Sequence, residues 1–292
     1  MPWIPRGLRE GIVTSRYPRR PDGYGATFQG TVVVVPSVNG TPGIETVADA
    51  CPTDAIVIEK GHPRLDRGRC ILCGRCAKLF PEIFRFDPDI ESSVLRRGAL
   101  VVPDLESERE EVERVRSELG LRVKALRRSI HIRHVDAGSD GAEEWEVAAL
   151  TNPVYDVQRL GIYFTASPRH ADLLLATGIG AAGMVGPLQE TYDVMPEPKV
   201  VVAAGVDAIS GGLLAGSYAA KGGLADVLPV DVFVPGSPPT PFGLLHGILL
   251  AIGLLPTGPR HHRHRTAVRS ASSERGAHGP AFPEASPEEA GP

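Results

Sequence analysis

Ala171-Asp172-Leu173-Leu174-Leu175-Ala176 runs straight into Thr177-Gly178. The run is short, almost wholly apolar and closed by a glycine, which is the pattern of a strand buried on both faces. The form recurs downstream. Lys199–Ala204 (KVVVAA) ends at Gly205, and Val230–Val234 (VDVFV) ends at Pro235-Gly236. Ile130–Val135 reads as a further strand ahead of them, and helical stretches at Leu188–Met195 and Pro241–Leu255 alternate with the strands. Continuous apolar strands separated by helices predict an α/β domain with a parallel sheet covered on both faces. Its span is about residues 126–257. In such sheets ligands sit beyond the carboxyl ends of the strands, so the loops after residues 176, 204 and 234 should converge.

Upstream the chemistry changes. The chain has four cysteines, Cys51, Cys70, Cys73 and Cys76. Three form Cys70-Ile71-Leu72-Cys73-Gly74-Arg75-Cys76, and the fourth opens Cys51-Pro52-Thr53-Asp54-Ala55-Ile56. Disulfides suit this poorly if the chain stays in a reducing compartment. Four thiolates can hold zinc, but zinc sites usually pair two C-x2-C knuckles. The bacterial iron–sulfur pattern C-x2-C-x2-C-x3-C-P fits better, because the cysteine before proline in one motif ligates the cluster of the other. By that rule all four cysteines belong to one 4Fe–4S cluster. Phe80 stands before Pro81, where the next cysteine of the pattern would fall, and Thr41, Ile44 and Val47 stand where the first motif's other cysteines would fall. Every missing ligand belongs to a second cluster. Gly74 lets the backbone approach, Ile56, Ile71 and Leu72 supply an apolar wall, and Phe80 is expected to fill the lost cluster's volume with carbon. Short strands are read at Val32–Val35, Ala55–Glu59 and Ala99–Val102, with a helix at 45–50.

Residues 51–81 resemble a two-cluster ferredoxin that has shed one cluster, which implies an α+β ferredoxin-like domain over residues 31–103. Gly11-Ile-Val-Thr-Ser-Arg-Tyr-Pro18 and Phe28-Gln29-Gly30 resemble the lead-in of ferredoxin-type subunits of respiratory complex I and related hydrogenases. Residues 1–30 are read as an irregular arm lying against a partner. Asp104–Gly120 reads as a mostly solvated linker helix within 104–125, with acids first, arginines after and a glycine stop.

A second resemblance covers His131 to about Leu255. Ser129–Ser139, Asn152–Asp156, Phe164–Asp172, Gly186-Pro187, Met195–Lys199, Ser210–Gly212, Leu228–Asp231 and Val234–Pro239 are similar, in order, to the small, proximal-cluster subunit of energy-converting nickel–iron hydrogenases, formate hydrogenlyase and complex I. The resemblance implies a flavodoxin-like domain that docks on a large subunit and holds a 4Fe–4S cluster with four cysteines. This chain has none of them. Against the family's Ser-Cys-Asn-Gly-Cys-Glu stands Ser139-Asp140-Gly141-Ala142-Glu143, with one cysteine deleted and the other replaced by Ala142; the third position is Asp207 and the fourth is Ser237. Methyl and oxygen groups match iron poorly. This degenerate site is expected to bind no cluster. Asp207 is free to pair with Arg133 or Arg169, or to join Asp140 and Ser237 around a hard cation. The family links the glutamate at position 143 to proton movement, so the resemblance implies a proton role for Glu143.

Composition excludes other classes. Thirty-one basic against 35 acidic side chains give a net charge of −4, which argues against a nucleic-acid partner. The longest apolar run, Phe242–Leu255, falls short of the about 20 residues that cross a bilayer. MPWIPRGLRE has no apolar signal core, so a cytoplasmic chain that reaches the inner face of the membrane only through partner subunits is expected. Residues 258–292 read as a disordered tail, including the Arg260–Arg265 basic and histidine run. Gly178-Ile-Gly-Ala-Ala-Gly183 fits a dinucleotide-loop spacing, but it coincides with a loop of the hydrogenase-like family. No catalytic set is recognisable. The sequence points to an iron–sulfur electron-transfer subunit of a hydrogenase-like or NADH–quinone-oxidoreductase-like complex. The alternative is a non-redox scaffold subunit of such a complex.

Overall fold

The computed structural model describes residues 3–20, 24, 27–35, 45–59, 61–103, 109–124, 126 and 129–255. Met1–Leu255 makes one compact unit and Pro256–Pro292 a second, no residue of which is described. The expected tail and its Arg260–Arg265 run therefore lie outside the described residues, as do Thr41 and Ile44.

The arm is not irregular throughout. Helix α1 (Trp3–Glu10) sets Trp3, Ile4 and Leu8 apart from Arg6, Arg9 and Glu10, and Arg6 and Glu10 pair across one turn at 2.7 Å. The following segment packs on its own chain. Ser15 N–H donates to the Val154 carbonyl at 2.8 Å, Arg159 donates to the Tyr17 carbonyl at 2.7 Å, and the Tyr17 and Phe28 rings meet Phe242 edge-on.

Next come β1 (Thr31–Val34), α2 (Glu45–Asp49), β2 (Ile56–Glu59), β3 (His62–Asp66), α3 (Arg75–Leu79), β4 (Phe84–Asp87) and β5 (Val101–Val102). β1 pairs antiparallel with β4, and β2, β3 and β5 form a second antiparallel sheet. Val32, Val47, Ala55, Ile56, Leu65, Ile83 and Phe84 make a small core, with Cys51, Cys70, Cys76 and Phe80 at its margin. The expected strand at Ala99–Val102 is half a 3-10 turn, Arg97–Leu100, and only its last two residues pair.

Helix α4 (Arg109–Arg122) does not stop at Gly120 and is not merely a solvated linker. Val115 packs against the main core, Leu119 and Val123 are buried in it, and Leu126 joins them just past the helix. That narrow apolar stripe is what the mean polarity of the segment conceals.

The rest is β6 (Ile130–Asp136), α5 (Ala142–Ala149), β7 (Ile162–Phe164), β8 (Leu173–Thr177), α6 (Ala182–Asp193), β9 (Val200–Ala204), α7 (Val206–Ser210), β10 (Val232–Val234) and α8 (Pro241–Ala251). The five strands are parallel, in the order β10-β9-β8-β6-β7. β8 and β9 are buried at every residue. Leu173, Leu175, Val200 and Val202 face α8 in one layer, while Leu174, Ala176, Val201 and Ala203 face Leu188 of α6 and Ala208 of α7 in the other. Helix α6 starts six residues before the expected Leu188, because it tolerates Pro187 and two glycines inside its first turns. Thr240 caps α8, accepting from Gly243 N–H at 3.1 Å.

The thiol-bearing region meets the large sheet at several places, among them the segment around Val94. Val94 and Phe233 exchange two backbone hydrogen bonds, at 3.0 and 2.8 Å, and Ser93 donates to the Gly243 carbonyl at 3.1 Å. Among the described residues no helix is long and apolar enough to cross a membrane.

Candidate functional site

Cys51 lies just beyond α2, Cys70 and Cys73 lie on the loop into α3, and Cys76 is the second residue of α3. Two residues of that loop take left-handed backbone, Leu72 (φ 55°) and Gly74 (φ 73°). A side chain at 74 would press on the Phe86 ring, its Cβ 3.3 Å away. The double turn brings Cys70, Cys73 and Cys76 round to Cys51. All four line one small cleft, walled by Val47, Ile56, Leu65 and Ile71. Leu72, expected in that wall, lines instead a neighbouring cavity shared with Thr31, Arg67 and the Pro235–Thr240 loop. Phe80 is partly buried against the small core.

The thiols are free. Burial pushes the Cys70 thiol up to about 12; the Leu72 amide pulls against this, and Cys76, Cys51 and Cys73 push it further. Cys76 is raised chiefly by burial too. Thiols held up in this way, as Cys70 and Cys76 are, resist ionisation unless a positive centre compensates them, which is what a thiolate-bound metal does. Ala55 N–H already donates to Cys51 Sγ at 3.3 Å, as amides do to cluster sulfurs. Among the described residues no three thiol, imidazole or carboxylate groups are drawn in to hold a single ion. The donor set, four thiols lining one cleft, fits a cluster.

The second candidate site lies at the carboxyl ends of the large sheet, where the loops are tied to one another. Ala181 N–H donates to the Ala137 carbonyl at 2.8 Å, Gly205 N–H to Val234 at 2.9 Å and Val206 N–H to Gly236 at 2.8 Å. Asp140 and Ser237 are exposed, Ala142 and Asp207 are half-buried, and Glu143 is buried. Asp207 pairs with neither Arg133 nor Arg169 among the described residues; its carboxyl rests on Gly212 instead. Burial, then Asp140 and Glu144, hold its affinity for a proton above the ordinary carboxylate range.

Two neighbouring glutamates differ sharply. Glu144 accepts from Ser139 Oγ and from Thr177 Oγ1, each at 2.5 Å, and lies 3.6 Å from His134 Nε2. The sequence reading missed this cluster, whose only signal was a threonine at a strand end. Burial holds His134 below its usual range, opposed by Glu144 and Asp136. Glu143 is only 2% exposed, and its Oε2 has no hydrogen-bond partner. Its carboxyl group lies against Gly205 (φ 94°), where an added Cβ would come within 2.5 Å of Oε1. Burial raises it to about 7, with Asp207, Asp140 and Glu144 acting in the same sense and its own amide against.

An open parallel α/β domain with converging carboxyl-end loops, preceded by a thiol-lined α+β region, defines the class. Residues 141–251 match the family described as NADH ubiquinone oxidoreductase, 20 Kd subunit, and residues 64–119 match the 4Fe-4S single cluster domain. The second match holds Cys70, Cys73 and Cys76, with Cys51 upstream of it. The chain is 39% identical to formate hydrogenlyase subunit 7 of Escherichia coli over 133 residues, 46% of this chain and 52% of that one. It thus spans about half the length of that relative. It is 38% identical to a probable membrane-bound hydrogenase subunit of Pyrococcus furiosus over 146 residues, covering 50% of this chain and 86% of that one. A chain of the membrane-bound sulfane sulfur reductase, an archaeal respiratory membrane complex, is 32% identical with a TM-score of 0.40, covering 45% of this chain and 75% of that chain. The chain belongs to the family of the 20 Kd subunit of NADH ubiquinone oxidoreductase. It carries a 4Fe-4S-type domain ahead of the family segment, and cysteine is absent from all four positions that the family resemblance assigns to the proximal cluster.

Proposed function

We propose that the chain is an iron–sulfur subunit of a hydrogenase-like or complex-I-like assembly, with one 4Fe–4S cluster held by Cys51, Cys70, Cys73 and Cys76 in a ferredoxin-like domain over residues 31–103. The observation that carries this reading is the single cleft lined by all four cysteines of the chain. Bound there, the cluster supplies one-electron transfer. Val47, Ile56, Leu65 and Ile71 exclude water from it, and the Ala55 amide steadies one sulfur. The degenerate domain, residues 126–257, offers only oxygen and methyl groups at Asp140, Ala142, Asp207 and Ser237, so the path for electrons ends in the front domain.

The rear domain is read as the docking face for a large subunit. Trp145, Leu213, Leu214 and Tyr218 are exposed at 79, 65, 53 and 103%, and they follow the loops around the second candidate site. Exposed large apolar side chains suit a partner surface. The relatives named for membrane-bound complexes support a peripheral position on the cytoplasmic face, reached through partners.

The test is iron and acid-labile sulfide counted on anaerobically purified full-length chain, with low-temperature electron paramagnetic resonance after reduction. About four of each per chain, and one reducible paramagnet, are expected. About eight irons or two interacting paramagnets would refute the single cluster. One cluster that resists reduction would favour the scaffold reading.

A further inference from the structure

We propose that helix α1 and the segment just after it form a docking surface for an anionic lipid bilayer, with Trp3, Ile4 and Leu8 sunk among the headgroups and the arginines on the phosphates. This adds a direct lipid contact to a position that the proposed function reaches only through partner subunits. It does not depend on what the front cleft holds.

No residue of α1 is buried. At about 100° per residue, Trp3, Gly7, Ile4 and Leu8 succeed one another over an arc of about 140°, and Arg9, Arg6 and Glu10 fill the opposite side. The apolar arc is open: Leu8 is 82% exposed and Trp3 68%. Ile12, at 92%, extends the apolar set past the helix. The chain is fastened immediately afterwards. Thr14 Oγ1 donates to the Pro153 carbonyl at 2.8 Å, and the Tyr24 hydroxyl donates to the Val13 carbonyl at 3.0 Å. The arm is therefore held behind its apolar face and not by it.

Charge selects the occupant. Residues 1–20 carry five arginines against one glutamate, in a chain whose net charge is −4. Arg6, Arg9, Arg16, Arg19 and Arg20 are all exposed. An anionic surface thus attracts the arm and repels the rest of the chain, which orients the molecule as well as holding it. Tryptophan sits well at headgroup depth, and arginine reaches phosphate from there. Eight residues rise about 12 Å, far short of the about 30 Å hydrocarbon layer, so the helix lies in the plane of the surface. A helix this short is marginal in water, the more so with Pro5 and Gly7 inside it. A surface beneath Trp3, Ile4 and Leu8 supplies the support it lacks. A protein groove would cover the apolar arc but would leave Arg16, Arg19 and Arg20, beyond the helix, without a role.

The test is flotation of the full-length, anaerobically purified chain with vesicles of phosphatidylcholine plus phosphatidylglycerol, and with vesicles of phosphatidylcholine alone. Binding to the anionic vesicles is expected, and it should weaken with added salt. Arg9→Gln should weaken it about fivefold. Leu8→Asp should weaken it more than about tenfold. The chain has two tryptophans, so in Trp145→Phe the emission reports Trp3 alone. That emission should shift to the blue on the anionic vesicles and be quenched by brominated acyl chains. No binding to anionic vesicles, equal binding to both kinds, full binding by Leu8→Asp or an unquenched Trp3 would each overturn the proposal. A Trp3 shift seen only when a partner subunit is added would overturn it in favour of a protein groove. Iron content should be the same in every variant, which separates loss of lipid binding from loss of the front cluster.

Discussion

The front thiol site and the rear acidic site respond to burial in opposite chemical ways. In front, four thiols line one cleft walled by aliphatic side chains. At the rear, the converging loops and their glycines persist, but the donors have become Asp140, Asp207 and Ser237, and the buried group is a glutamate. Both sites strain against ionisation. Burial pushes Cys70 up to about 12 and Glu143 up to about 7. The remedies differ, because soft sulfur is relieved by a metal and a carboxylate by a proton. A loop scaffold can thus outlive its cofactor when the new side chains offer another way to neutralise the site.

The sharpest way to break this contrast is to remove a thiol. Cys70→Ser should lose essentially all bound iron, measured per chain after anaerobic purification, while Asp207→Asn should leave iron untouched. Iron retained in full by Cys70→Ser would erase the distinction. Next in size is the rear scaffold. Gly205→Ala forces a Cβ into the Glu143 carboxylate at a backbone conformation that favours glycine, and should cost about 4 kcal/mol in urea denaturation. The third test concerns pH. The folded-state value of Glu143 is raised to about 7 from an ordinary 4.5, so its contribution is intact below about pH 4.5 and is lost as pH climbs through 7. Wild-type stability should decline by about 3 kcal/mol across that window, and Glu143→Gln should remove that decline. A wild-type curve that rises there would contradict the assignment.

What the sequence disclosed follows from how local each signal is. The thiol set was legible because cysteine is scarce and its spacing is chemical. β8 and β9 were legible because strands buried on both faces carry unbroken apolar runs. β3 and β4 were not, since Pro63 and the charged residues of HPRLD and FRFD mask their alternation. Helix α7 has five residues and depends on bonds from Gly205 and Val206 to the β10 strand and its following loop, which no local pattern announces. The docking of the arm rests on Tyr17, Phe28 and Phe242, partners from distant parts of the chain. Position 143 was singled out by resemblance, but its enclosure was not, because an acid in the first turn of a helix ordinarily faces solvent.

The two-bond bridge between Val94 and Phe233 has a consequence for assembly. It seals the outer flank of β10 with the protein's own backbone, so a neighbour cannot extend the large sheet by adding a strand on that side. Recruitment there must go through side-chain surfaces, and the segment that carries Val94 doubles as a guard against unwanted polymerisation.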